Sequence, residues 1–426
     1  HERVENPNAT IALDYYSSLR TDELAISSQR ILSYIDSMVS NDHDEALADF
    51  KARSYYLNRN ALLWIDRLGV HSNADTLVKC ISGVAGLGFT DASFRLNRIR
   101  KDLERARTLS FDDVNTVSRV FARLEYNLTK AYLRYTIGQR FGYVNPYFLL
   151  NKLDVKDSSS TSVTYRKLFD VRIDRPGKDF YSNIFRMAES DSLASFLRSI
   201  QPKSHLYTAL LSELHLPDLT PQHRRLVLTN LEKARWRMSD SPERHSKYII
   251  VNIPAQKLSM YDVGNVKTML IGCGSRETKT PLLNSYIKRM DVNPQWVIPF
   301  SIIKKDIVRH AGNEEYFDRR RFFICERKSG KMVSPADVTS KMLLDGNYRV
   351  IQMGGEGNSL GRIIFRFDNN FAVFLHDTSS RSVFNQRQRD VSHGCVRVEK
   401  PTELAEYLLG KGKEKIMERI VYSMSV

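Results

Sequence analysis

The sequence contains the stretch Ser392-His393-Gly394-Cys395-Val396-Arg397 close to its C-terminus, and a second histidine, His376, lies upstream in Phe374-Leu375-His376-Asp377-Thr378. A cysteine attacks a carbonyl carbon as the thiolate, so it needs a nearby base and hydrogen-bond donors for the oxyanion that forms. We therefore predict that Cys395 is a nucleophile and that His376 is its base. Because glycine lets the backbone approach a substrate closely, the amides of Gly394 and Cys395 are candidate oxyanion donors.

Other interpretations of these residues stay open at this point. A lone cysteine is often a small buried core residue, and a histidine is often a satisfied one. A zinc site made of His376, Asp377, His393 and Cys395 is chemically feasible, but the spacing fits no common structural zinc pattern. The order of histidine before cysteine argues against papain-type enzymes. The sequence indicates no metal and no organic cofactor.

The two motifs together resemble the signature of the L,D-transpeptidases of bacterial cell walls, in which a histidine and a spacer precede Ser/Thr-His-Gly-Cys, an apolar residue and Asn or Arg. The apolar run at 248–255 and the segment at 293–299 are similar to the same family, so that the resemblance covers residues 245–426. It implies a mostly β, β-sandwich-like catalytic domain in which His376 ends one strand and Cys395 opens a later element.

The resemblance also implies a reaction. Cys395, deprotonated by His376, would attack the bond between the diamino acid and the terminal D-alanine of a tetrapeptide stem and form a thioester. The side-chain amine of a diamino acid on a neighbouring stem would then make a cross-link between two third-position residues. By analogy, the backbone carbonyl of Asp377 orients the His376 ring, and His393 and Gly394 complete the catalytic group.

The candidate substrate-binding residues are Arg397, Ser392, Asn358 and Gly361, of which the last two lie at the rim. An arginine there can pair with a carboxylate through its planar fork. Two alternative functions stay open. An L,D-carboxypeptidase would use the same residues with water as the acceptor, and a non-catalytic wall-binding scaffold would depend on the other half of the chain.

The first half resembles the scaffold region of the large L,D-transpeptidases of the YcbB type, through short motifs in the same order. These motifs are Tyr55-Tyr56 with Arg59 and Trp64, then 86–89, 128–135 and 142–146. The peptidoglycan-binding module usual in that subfamily has no room here. A charge-dense insertion at about 300–353 resembles its capping subdomain in position, and a plain surface insertion is an equal alternative.

Hydrophobic periodicity separates the two halves. Helical spacing relates Leu193, Phe196, Leu197 and Ile200, and Leu24, Ile31, Ile35 and Met38 form another apolar stripe. After Pro242 the apolar runs become short and alternate with polar residues, as strands do. We predict an α+β chain of two domains, a mostly helical scaffold at 1–240 and a mostly β catalytic domain at 245–426.

Composition and charge suit a folded chain with an acidic partner. The 426 residues are 42% hydrophobic and have a net charge of +15, and the part after residue 240 contains 30 Lys and Arg against 20 Asp and Glu. A basic surface suits nucleic acid, anionic lipid or an acidic polymer. We predict peptidoglycan stems as donor and acceptor, cell-wall proteins as further candidate partners, and no nucleic acid.

No apolar run approaches the roughly 20 residues of a membrane span. The resemblance implies a periplasmic or cell-envelope location, with an export signal removed upstream of His1. Three cysteines besides Cys395 lie far apart, and no pattern predicts a disulfide among them.

Overall fold

The computed structural model describes residues 26–58, 60–66, 68–158 and 162–426. Arg59, Leu24 and the first 25 residues of the predicted scaffold domain therefore lie outside the described residues. The chain divides into two compact units, residues 1–146 with 173–238 and residues 147–172 with 239–426.

The first unit is mostly helical, and its centre is the helix Val117–Phe141. Thr116 caps the start of this helix by accepting a hydrogen bond from the backbone N–H of Arg119, and Gly142 ends it with a φ of 95°. Twenty of its residues are buried, so it is surrounded by its neighbours. The other helices of this unit are Ser28–Ser40, Leu47–Leu57, Asn73–Ser82, Leu96–Thr108, Lys178–Ala188, Leu193–Ser199, His205–Glu213 and Pro221–Arg235, and two short strands, β1 (Ile65–Asp66) and β2 (Gly69–Val70), form a small hairpin.

A buried carboxylate lies in the central helix. Glu125 accepts hydrogen bonds from the Tyr56 hydroxyl at 2.6 Å and from the backbone N–H groups of Leu63 and Trp64 at 2.5 and 2.9 Å. Burial raises the pKa of Glu125 to about 7, although these hydrogen bonds act in the opposite direction. The carboxylate therefore ties the segment before β1 to the core of the unit.

The second unit is built mainly of strands. Its strands are β3 (Val155–Ser158), β4 (Val163–Tyr165), β5 (Phe169–Asp170), β6 (Lys247–Asn252), β7 (Lys257–Asp262), β8 (Asn265–Gly274), β9 (Leu282–Leu283), β10 (Ile287–Val292), β11 (Trp296–Val297), β12 (Phe322–Glu326), β13 (Met332–Val333), β14 (Tyr348–Gln352), β15 (Ile363–Phe367), β16 (Leu375–His376), β17 (Asp390–Ser392) and β18 (Val396–Val398). Among the residues that the structure describes, eight strands form one sheet. Seven of them follow the order β10-β15-β16-β18-β8-β7-β6, and the eighth, β17, pairs with β8.

Alternation along these strands selects the core face of the sheet. Leu258 and Met260 on β7 and Ile363 and Phe365 on β15 are buried, whereas their neighbours in sequence are more exposed or face the other side. Residues of the C-terminal helices, Pro401–Leu409 and Glu414–Ser425, complete this core. The sheet thus has one covered apolar face, and its other face is available for a site.

The insertion at about 300–353 folds around an apolar core of its own. Its three strands, β12, β13 and β14, form a sheet with β11, which lies just before the insertion, in the order β11-β14-β12-β13. Its helices are Phe300–Ile302, Glu314–Arg319 and Ser340–Leu344, with a π-helix at Ile303–Ile307. Phe317 and Ile324 are fully buried in this core. These residues form a folded subdomain and not a plain surface insertion.

The α+β class with two domains is confirmed, including strands that follow the predicted apolar runs at 248–253, 258–260 and 266–271. One boundary of the prediction is wrong. Residues 147–172 belong to the second unit, whereas the predicted scaffold domain at 1–240 includes them. In the described residues, no helix is long and apolar enough to cross a membrane.

Candidate active site

The two predicted reacting residues lie at the ends of neighbouring strands. β16 and β18 run parallel, with Leu375 opposite Val396 and His376 opposite Arg397. Leu375 and Val396 are buried in the apolar core. Because successive side chains in a strand point to opposite faces, His376 and Arg397 lie together on the other face, and the same alternation places Cys395 with them. The pairing of these strands therefore brings the two motifs together.

His376 is held with one ring nitrogen engaged. Its Nδ1 lies 2.5 Å from the backbone carbonyl oxygen of Asp377, and the side chain is 4% exposed. A carbonyl oxygen only accepts hydrogen bonds, so Nδ1 carries the hydrogen and Nε2 keeps the lone pair in the neutral ring. Burial, followed by the positive charge of Arg397, lowers the pKa of His376 to about 4. The ring is therefore a neutral base at neutral pH.

Cys395 is partly exposed, and its thiol is free. The other three cysteines, Cys80, Cys273 and Cys325, are also free thiols, and Cys273 and Cys325 are buried. Burial raises the pKa of the Cys395 thiol, whereas a backbone hydrogen bond from Phe374 and the charges of Arg366 and Arg397 act to lower it. At rest the sulfur is a thiol, so its attack on a carbonyl needs a base.

Two arginines make this face of the sheet positive. Arg397 is partly buried, and burial lowers the pKa of its guanidinium. Its Nε has no hydrogen-bond partner among the residues that the structure describes. The Arg366 guanidinium packs over the Phe374 ring at 5.2 Å and pairs with Asp291. A buried guanidinium with an unused donor is suited to an anionic ligand.

The turn before Cys395 is held by its own side chains. The Ser392 hydroxyl donates to the Cys395 carbonyl oxygen at 2.6 Å and accepts from the Gly394 N–H at 3.1 Å. Gly394 has a φ of 117°, which a side chain would strain. The Gly394 amide, predicted as an oxyanion donor, is thus already engaged by Ser392, and the contacts of Ser392 in the structure hold the turn.

Asp377 and Gly361 support the histidine. The Asp377 carboxylate accepts a hydrogen bond from the Arg362 N–H at 2.9 Å and pairs with Arg381 at 3.2 Å. Gly361 has a φ of 66°, and a Cβ there would lie 2.4 Å from Asp377 Oδ2. The absence of a side chain at Gly361 therefore leaves the room that Asp377 occupies, and its contact with substrate stays a prediction.

Asn358 is also structural. It is 1% exposed, its side-chain amide donates to the carbonyl oxygens of Pro294 and Met353, and its Oδ1 accepts from the Leu360 N–H. The contact of Asn358 with substrate stays a prediction, and the hydrogen bonds that the structure shows for it are to backbone.

His393 faces the inserted subdomain. Its Nε2 lies 3.1 Å from Oδ2 of Asp306, which belongs to the π-helix of that subdomain, and both side chains are largely exposed. The structure therefore links the residue two positions before Cys395 to the insertion. The sequence motif did not predict this pair, because Asp306 lies 87 positions before His393, in a segment of mixed apolar and charged residues with no motif of its own.

Sequence reasoning missed further residues of the site. Phe374 contacts the His376 ring with centroids 5.7 Å apart, and Thr280 donates to the Gly394 carbonyl oxygen at 2.9 Å. For Phe374 and Arg366 a signal existed, because alternation along the predicted strands places both on the face of His376. For Thr280 there was none, since its contact spans 114 positions of sequence.

Comparisons with known proteins identify two regions of the chain that match family models. Residues 246–416 match the family model described as the L,D-transpeptidase catalytic domain (YkuD), and residues 51–214 match the Scaffold domain. A Haemophilus influenzae protein that bears the L,D-transpeptidase name is 31% identical over 242 residues, which are 55% of this chain and 48% of that protein. The chain spans about half the length of this relative. The chain therefore contains a catalytic domain of the L,D-transpeptidase family at residues 246–416, preceded by a Scaffold domain at residues 51–214.

Proposed function

We propose that this protein is a peptidoglycan L,D-transpeptidase with Cys395 as its nucleophile. The observation that supports this proposal most strongly is the pairing of β16 with β18, which puts a neutral, oriented His376 and the Cys395 thiol on one face of the sheet. Family membership of the catalytic domain supports the same reaction class.

The proposed reaction starts with proton transfer from Cys395 Sγ to His376 Nε2. The thiolate attacks the carbonyl carbon of the diamino acid in a tetrapeptide stem, and the bond to the terminal D-alanine breaks after the departing nitrogen takes the proton from His376. A thioester remains on Cys395. The amine of a second diamino acid then attacks the thioester, gives a proton to His376 and frees the thiol.

Arg397 is the proposed binding residue for a carboxylate of the stem. Its unused Nε supports this role, and its charge also favours the thiolate of Cys395. The inserted subdomain is proposed to cap the cleft, which would exclude water from the thioester and favour an amine acceptor. The contact between Asp306 and His393 supports this placement.

We further propose that the protein acts in the periplasm or cell envelope on donor and acceptor stems, and that it belongs with the YcbB-type subfamily. The order of a Scaffold domain before the catalytic domain supports the subfamily.

The test is to incubate the protein with a disaccharide-tetrapeptide and identify the products by mass spectrometry, beside a Cys395→Ala variant. A dimer that has lost one D-alanine, formed only when Cys395 is present, is the expected result. Tripeptide without dimer would assign an L,D-carboxypeptidase instead. Equal product formation by Cys395→Ala would end the proposal.

A further inference from the structure

We propose that Asp154 is a positioning residue for the catalytic cysteine, although it lies in a segment that the sequence places in the scaffold. This inference rests on the proposed function. Two segments are involved, the brace loop (residues 274–281) and the strap (the described residues of 147–172). The strap holds the brace loop, and the brace loop holds the turn that contains Cys395.

The inner layer consists of two threonine hydroxyls. Thr278 Oγ1 donates to the Ser392 carbonyl oxygen at 2.8 Å, and Thr280 Oγ1 donates to the Gly394 carbonyl oxygen at 2.9 Å. The Ser275 N–H also donates to the Ser392 carbonyl oxygen at 3.0 Å. These bonds fix the carbonyl groups on both sides of His393, so the course of the chain into Cys395 depends on the brace loop.

The brace loop is itself folded tightly back on β8. The Gly274 N–H donates to Thr280 Oγ1 at 2.8 Å, so this hydroxyl both accepts and donates. A Cβ at Gly274 would lie 2.0 Å from the Thr278 carbonyl oxygen. Only glycine permits this close approach, which puts both threonines within reach of the cysteine turn.

The outer layer is the strap, and its charged centre is Asp154. This carboxylate is 8% exposed and receives two cations, Lys279 Nζ at 2.9 Å and Arg166 Nε at 2.8 Å. Lys279 lies between the two threonines of the brace loop. Arg166 reaches onward to the Glu277 carbonyl oxygen in the same loop. Both cations are partly exposed and share this one carboxylate, so neutralising Asp154 would release Lys279 and Arg166 together.

Backbone contacts keep the strap in place along the rest of its length. β5 pairs in parallel with β9, directly after the brace loop, and the Leu282 N–H donates to the Leu168 carbonyl oxygen at 2.7 Å. The Arg172 N–H donates to Asn284 Oδ1 at 3.0 Å. Asp154 thus lies in a segment that is already anchored, and its charge acts on Lys279 of the brace loop and on Arg166 of the strap.

The experiment compares full-length Asp154→Asn, Asp154→Glu and Thr280→Val with the unchanged protein. We measure kcat and KM for the proposed reaction, the pH dependence of Cys395 alkylation by iodoacetamide, and thermal unfolding by circular dichroism. Asp154→Asn and Thr280→Val are expected to lower kcat about tenfold or more, because small misplacements of reacting groups have effects of this size. KM stays within about twofold, and Asp154→Glu, which keeps the charge, recovers most of kcat.

Glu403→Gln is the matched control, since it removes an ion pair with Lys400 in the same unit and outside the brace loop and strap. It is expected to leave kcat and alkylation unchanged. An unchanged kcat in Asp154→Asn, or a loss of kcat only in proportion to unfolded protein, would overturn the inference. If the protein without any substitution were inactive, that result would count against the proposed function. The two failures are therefore distinguishable.

Discussion

Burial opposes charge on both reacting side chains at the residue scale. It lowers the pKa of His376 and raises the pKa of the Cys395 thiol, so the neutral pair is the resting form. That His376 and Cys395 lie on one face of the sheet follows the expectation from the sequence, because their motif is specific and ordered. The backbone contacts of Ser392 and Asn358 were not predictable from the sequence, because whether a polar side chain turns toward backbone or toward a ligand depends on which carbonyl groups the fold brings near it.

The pH dependence of activity tests the protonation state of His376. Catalysis needs the neutral ring, and a pKa of about 4 keeps that form at every pH above this value. We expect the acidic limb of kcat/KM to lie near pH 4, with activity lost only as the pH falls through that region. A profile measured from pH 3 to 9 checks this, and an acidic limb near the ordinary histidine value of about 6.5 would contradict it.

Arg397 should act on both groups through its charge. Its positive charge lowers the pKa of His376 and also lowers that of Cys395. We therefore expect Arg397→Gln to move the acidic limb of activity, and the pH at which Cys395 is alkylated, to higher values. Arg107→Gln is the matched control, because Arg107 is exposed, pairs with Asp75 in the helical unit and is not among the charges that shift the pKa of either group. Unchanged limbs in Arg397→Gln would exclude an electrostatic role.

At the scale of elements, the loop before β15 supports the histidine through its contact with Asp377. Gly361 lies against Asp377, whose carbonyl orients the His376 ring. The sequence analysis placed Gly361 at the rim of the site. The need for glycine there comes from the Asp377 side chain, 16 positions away in sequence, which no local pattern reveals. The strands themselves were easier to predict, because alternation along β7 and β15 is local.

Gly361→Ala tests this support. The new methyl group would overlap the Asp377 carboxylate and shift it, so we expect a loss of kcat of about tenfold or more with the fold retained. Gly264→Ala is the control, because Gly264 also has a positive φ, 83°, but nothing lies within 4 Å of its added Cβ. The control should cost only the backbone strain of about 1 kcal/mol and keep its activity. Equal activity of the two variants would contradict the account.

At the scale of the whole molecule, chain order and spatial grouping differ. Residues 147–172 lie between two parts of the helical unit in sequence, yet they belong to the catalytic unit. The prediction of a single break near residue 240 followed the change from helical to strand periodicity, which was correct for most of the chain. It did not include the strap in the second unit because β3, β4 and β5 are short, β3 and β4 pair only with each other, and the partner of β5 is β9, more than 100 positions away in sequence.

Glu125 gives the helical unit a distinct dependence on pH. Its pKa is about 7 in the folded protein against 4.5 as the ordinary value, so the folded state binds its proton more tightly. Its contribution to stability is present below pH 4.5 and is lost as the pH rises through 7, by about 3 kcal/mol in total. We expect Glu125→Gln to reduce by up to this amount the fall in unfolding free energy between pH 5 and pH 8.

Urea unfolding followed by circular dichroism at the two pH values measures this fall. Glu104→Gln is the control, because Glu104 is exposed on another helix of the same unit and should leave the dependence on pH as it is. The same fall in all three proteins would show that Glu125 titrates alike in the folded and unfolded chain.

The covalent intermediate tests the central claim most directly. The protein is mixed with a tetrapeptide stem in the absence of an acceptor, quenched in acid and analysed by intact and peptide mass spectrometry. The account predicts an adduct equal to the stem minus its D-alanine, attached to Cys395 and missing from Cys395→Ala. An adduct on another residue, or D-alanine release that persists in Cys395→Ala, would contradict it.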